Sequence, residues 1–144
     1  MKKYFIVLGC LQALTALGTI PAGLGYLIDT TGAKMGASAD MLANSPFTSF
    51  LIPALFLVIV HGFGNIVLAV LSFRKQAIAG TSGLAMGIVL CLWIVIQVYW
   101  IGLTSFLQPM FLIIGLMEAT IGWMIWKRNT GESKGVIDFA KKES

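Results

Sequence analysis

The stretch from Ser45 to Lys75, SPFTSFLIPALFLVIVHGFGNIVLAVLSFRK, limits the folds open to this chain more than any other. It is apolar enough and long enough to cross a bilayer, for which about 20 apolar residues suffice. Yet it carries His61 and Asn65 near its middle. It also has an echo. Thr48-Ser49-Phe50-Leu51-Ile52-Pro53 recurs as Thr104-Ser105-Phe106-Leu107-Gln108-Pro109, and both copies open an apolar run that ends in basic residues. The two runs read as equivalent helices of a duplicated hairpin; chance likeness between two apolar segments is the alternative.

Composition fixes the solvent. Charged residues make up 11% of the chain, hydrophobic ones 58%, and mean hydropathy is +0.89. A soluble domain carries roughly 25% charged residues, so too few are present here to cover a surface in water. The expected fold is all-α: a four-helix transmembrane bundle, which the echo would divide into two parallel-repeated helical hairpins. The membrane domain is placed at 1–126, with spans at about 4–28, 46–73, 83–103 and 106–126, and a polar tail at 127–144.

The first run opens with Lys2-Lys3 and resembles a signal peptide, with Val7-Leu8-Gly9-Cys10 as a loose lipoprotein box. Its apolar character continues past Cys10 to Ile28, which favours an uncleaved helix. Gly9, Ala13 and Ala16, then Gly18, Ala22 and Gly25, would let neighbours approach closely. Gln12, Thr15 and Thr19 should face protein, and Pro21 should kink the outer third. Asp29 to Asn44 reads as a surface loop with one helical turn on the membrane; the functional alternative is a lid over an interior cavity.

Ser45 suits a helix N-cap and Pro46 the first helical position. Gly80-Thr81-Ser82-Gly83 reads as a turn with Thr81 or Ser82 capping the third helix. Thr104-Ser105 reads as a tight turn. On the fourth helix Gln108, Phe111, Gly115, Glu118, Gly122 and Ile125 share one face, and the two glycines would leave it open around Glu118. The segment after Trp126 is polar and glycine-containing, and reads as a flexible tail near anionic lipid heads. Lys141-Lys142-Glu143-Ser144 resembles a dilysine retrieval signal.

Basic residues set the orientation. In a four-span arrangement Lys2, Lys3, Arg74, Lys75, Lys127, Arg128, Lys134, Lys141 and Lys142 fall on one side and Lys34 on the other. The positive-inside rule then places both termini in the cytoplasm, giving a multi-pass protein of the cell membrane.

The candidate site is an intramembrane polar cluster. Counting about 1.5 Å per residue from the cytoplasmic end puts Gln12, Asn65 and Glu118 at one level, roughly 12 Å up. His61 lies one turn above Asn65 and Gln97 slightly higher. A carboxylate in hydrocarbon must be protonated, paired or beside water, and His61 or Asn65 is the partner nearest in depth. A Glu118–His61 pair would hold or pass a proton; a structural hydrogen-bond network is the alternative. Cys10 and Cys91 lie far apart in apolar runs and form no CxxC pair, and no metal-ligand spacing is present. No phosphate-binding loop, nucleophile triad or nucleic-acid patch is found, and nothing names a cofactor.

Ser45-Pro46-Phe47, Phe50-Leu51-Ile52-Pro53, the Arg74-Lys75 stop and Leu107-Gln108-Pro109 together resemble small, largely uncharacterised bacterial four-span integral membrane proteins. The likeness implies a bacterial cytoplasmic membrane and no particular activity or active-site residues. Three functions follow from the residues. The first is a non-enzymatic accessory or hydrophobic-ligand-binding bundle. The second is a small oligomeric, proton-coupled transporter or channel. The third is a membrane enzyme acting on a lipid or quinone through Glu118 and His61. Expected partners are membrane lipids and a second copy or larger membrane complex, with no nucleic acid.

Overall fold

Each apolar run is a helix, as backbone polar groups in hydrocarbon require. The computed structural model describes residues 2–103 and 106–143. Helix α1 is Lys2–Ile28, α2 is Leu51–Phe73, α3 is Ile78–Ile101 and α4 is Leu107–Glu143. Among the described residues these are the four helices long and apolar enough to cross a membrane. The surface has the polarity of such a protein. Leu17, Ile28, Ile59, Val67, Leu92 and Ile113 face outward, whereas Gln12, Thr15, His61, Asn65 and Glu118 are buried. The protein is a multi-pass helical membrane protein.

The bundle is two tight pairs, α1 with α2 and α3 with α4. Glycines set the second pair. A Cβ at Gly87 would lie 2.6 Å from the Gly115 carbonyl oxygen, and one at Gly80 would lie 2.8 Å from the Trp126 nitrogen. A Cβ at Gly122 would meet the Leu84 nitrogen and lie 2.8 Å from the Gly80 oxygen. Without these side chains the two backbones meet directly, the closest packing open to helices in lipid. The glycines of the fourth helix are therefore filled by α3 and leave no opening beside Glu118. The shared face itself is as expected: Gln108, Phe111, Gly115, Glu118, Gly122 and Ile125 are all buried. Phe5 and Leu8 of α1 close on Ala79 and Ile125, joining the two pairs at the end that carries the termini.

Several local boundaries differ from the sequence reading. Gly80 to Gly83 lie inside α3, because their bare faces are used against α4. Ser82 Oγ donates to the Ile78 carbonyl instead of capping. The turn sits earlier, at Arg74 to Gln76. There Lys75 takes φ 55°, its N–H donates to Ser72 O, and the Gln76 N–H donates to Leu71 O. That paired closure is the Schellman ending of a helix. Helix α2 begins at Leu51 instead of Pro46, and Ser45 Oγ accepts from the Phe47 N–H within the loop. Leu51 and Leu107, the first residues of α2 and α4, occupy the same place in the repeated motif. The expected turn at Thr104-Ser105 lies outside the described residues.

Two features were not anticipated. Leu57–Phe63 is a π-helical segment inside α2, in which the Gly64 N–H donates to Ile59 O. And α4 does not end at Trp126: the segment expected to be a flexible tail continues as helix to Glu143. Helix α1 runs through Pro21 as one element.

Candidate functional site: a buried polar column below an aromatic cavity

Helix α1 supplies one side of the column. Gln12, Thr15 and Thr19 recur at helical spacing, and none is more than 2% exposed. Ser72 Oγ donates to Gln12 Oε1 at 2.7 Å. Thr15 Oγ1 lies 2.9 Å from Glu118 Oε1 and 2.9 Å from the Leu11 carbonyl oxygen. Thr19 Oγ1 donates to the Thr15 carbonyl at 2.9 Å. Helix α2 supplies the other side. Asn65 Nδ2 donates to the His61 carbonyl at 2.8 Å, and the His61 ring meets Phe56 edge-on with centroids 5.2 Å apart. The widened π turn carries His61 and Gly62, and both are buried. Such turns recur at functional positions in helices.

The pairing differs from the depth count. Glu118 meets Thr15, and among the described residues no hydrogen bond joins it to His61 or Asn65. Gln12 stands opposite Ser72, about one turn nearer the termini. Equal counts from the cytoplasmic ends give equal heights only if all helices enter at one level. Instead α1 begins at Lys2 and α4 passes Trp126 unbroken. An acid–base pair of Glu118 with His61 is not formed. Cys10 and Cys91 are free thiols, the former exposed. Among the described residues no three His, Cys, Asp or Glu side chains gather as metal ligands.

The column is incompletely satisfied. Among the described residues, Gln12 Nε2, both His61 ring nitrogens, Asn65 Oδ1 and Glu118 Oε2 are buried without a hydrogen-bond partner. An unpaired buried polar atom costs about 1–3 kcal/mol.

Above the column lies a cavity of about 160 Å³. Thr19 forms part of its floor; Trp93, Trp100, Phe111 and Tyr26 form walls; Gln97 and Gln108 bring amides. The connecting loop covers it. Leu42 and Phe50 are 4% and 6% exposed, Phe50 stacks on Tyr26 at 4.7 Å, and Phe47 packs edge-on to Trp100 at 5.5 Å. The backbone N–H of Phe50 donates to Thr30 O, tying the loop's two ends together. Of the expected polar set, Gln97 thus belongs to the cavity and the other four to the column.

Comparison with protein-family models, curated proteins and solved structures finds no match. The site must therefore be read from its own chemistry. Ser72 and the cavity walls were not singled out in the sequence. Ser72 had a signal, since it follows Asn65 by seven residues and so shares its helix face. The cavity had none, because its walls come from all four helices and the loop.

Proposed function

We propose that this protein is a non-enzymatic membrane bundle that binds an apolar, ring-bearing molecule drawn from the bilayer. The cavity is the observation that supports this reading. Its volume, about 160 Å³, is close to that of engineered apolar cavities that take up a single benzene-sized ring. Its walls are mainly apolar, aliphatic and aromatic together, with a few polar groups, the pattern of small-molecule pockets. The Gln97 and Gln108 amides suit carbonyl or hydroxyl substituents on such a ring, as a quinone or phenol carries. The basic residues favour both termini in the cytoplasm, with the cavity toward the outer leaflet. A bacterial cell membrane is the setting that the motif likeness favours.

Trp93 and Trp100 line the cavity, whereas Trp123 and Trp126 are 45% and 43% exposed on α4. In a Trp123→Phe, Trp126→Phe background, fluorescence therefore reports the cavity. Titration with a small tetramethylated benzoquinone in detergent should quench it saturably. Ala22→Phe, which fills the cavity, should abolish the saturable part. Linear quenching equal in both proteins would refute the reading.

A further inference from the structure

The Thr15 hydroxyl has one proton and two oxygen neighbours, Leu11 O and Glu118 Oε1, each at 2.9 Å. If Glu118 were a carboxylate, that proton would go to it, and the Leu11 contact would place two oxygens together with no hydrogen between them. If Glu118 is the neutral acid, its O–H donates to Thr15 Oγ1, and Thr15 donates to Leu11 O. Both short contacts are then hydrogen bonds. The second arrangement also leaves Oε2 as an uncharged carbonyl oxygen, a cheaper group to bury without a partner than a carboxylate oxygen.

The surroundings agree. Helix α1 presents Thr15, with Gln12 and Thr19 one turn to either side; Asn65 and His61 of α2 are buried as well; and α3 sets the Cys91 thiol against Gly115, about one turn of α4 from Glu118. Among the described residues no Lys or Arg side chain pairs with Glu118. Thr19, in the cavity floor, is one turn of α1 from Thr15, about 6 Å along the axis. Both residues carry hydroxyls, and among the described residues neither His61 ring nitrogen has a hydrogen-bond partner. Toward the termini the way is closed by Phe5, Leu8, Ala79 and Ile125, all nearly or fully buried.

We propose that Glu118 is a proton-binding site of the membrane interior, its proton held between Oε1 and Thr15 Oγ1 and exchanged through the cavity past Thr19. Loading transfers one proton from water in the cavity mouth to the carboxylate oxygen, and unloading reverses it. Nothing in this depends on which molecule the cavity binds.

Infrared spectroscopy of the full chain reconstituted in phosphatidylcholine vesicles at pH 7 tests it. A neutral-carboxyl carbonyl band is expected. Labelling all glutamates with carbon-13 should shift it, with no substitution made, and Glu118→Gln should remove it. The other glutamates, Glu132 and Glu143, lie on the exposed end of α4. On transfer to heavy water the band should shift as the proton exchanges. Thr19→Val should slow that exchange about fivefold, the effect of one lost hydrogen bond. Ala22→Phe should slow it as well, whereas Ser72→Ala, on the side of the termini, should not. Absence of a glutamate-dependent band at pH 7 would overturn the proton site. Exchange unchanged in both cavity variants, or slowed only by Ser72→Ala, would overturn the route.

Discussion

Gly87→Ala should be among the most damaging small substitutions in this protein, and the structure says by how much. The added Cβ would lie 2.6 Å from the Gly115 carbonyl oxygen and 2.9 Å from the Ala119 Cα, both backbone atoms of α4. The Ala119 nitrogen is nearer still, and ordinary contact begins at 3.4 Å, so the two backbones would have to part by about 1 Å. None of these atoms can rotate away. Overpacking of this kind costs about 1–3 kcal/mol, roughly a 5- to 150-fold change in the unfolding equilibrium. Alanine's helix propensity would return up to about 1 kcal/mol, so a net loss of about 0.5–2 kcal/mol is expected. Gly9→Ala is the internal control. Its Cβ would lie 2.8 Å from the Phe73 ring, a side chain that can turn toward lipid, so its net effect should be near zero. Reversible unfolding in mixed detergent–SDS micelles, followed by far-ultraviolet circular dichroism, measures both. If Gly87→Ala proved as stable as the parent, or no worse than Gly9→Ala, the direct contact of α3 and α4 backbones would be refuted.

Two further outcomes follow from the polar groups. A double-mutant cycle of Ser72→Ala with Gln12→Leu should give a coupling of about 0.6–1.7 kcal/mol, the range for hydrogen bonds between membrane helices; a coupling of zero would remove the 2.7 Å bond from the stability argument. In the loop, the Thr31 hydroxyl and then the Lys34 N–H hold the Asp29 carboxyl below its ordinary value of 3.8. A folded-state value below the unfolded one means Asp29 favours loop order above the ordinary value, and that this contribution fades as pH falls through the lowered one. The Thr31 amide resonance, followed by NMR on acidification, should report that loss, and Asp29→Asn should flatten it.

The number of crossings was legible because hydropathy alone decides whether a segment prefers lipid. Which of the faces of α4 points inward was legible too, since Gln108, Glu118 and the glycines all lie on one stripe. What the same glycines do was not. A glycine pair such as Gly80 and Gly83 signals a turn in water and a close crossing in lipid, and only the partner backbone tells the two apart. The π segment escaped notice because its cause is not periodic: one extra residue per turn between Leu57 and Phe63 leaves composition unchanged. Depth counted along isolated helices does not give the partner of Glu118, because height in a bundle depends on where each helix enters. The spacing of Thr15 turns it toward protein, but nothing local to either residue reports that the two meet.

Helix α4 carries a geometrical consequence. Its 37 residues amount to about 55 Å of rod, while the hydrocarbon layer is about 30 Å thick. Some 25 Å therefore stands clear of the apolar slab as a stiff arm continuous with the helix that bears Glu118. Tilting that helix by ten degrees would swing the arm's far end by about 4 Å. A spectroscopic label near Lys142 would thus magnify small rearrangements at the centre of the bundle into displacements large enough to measure.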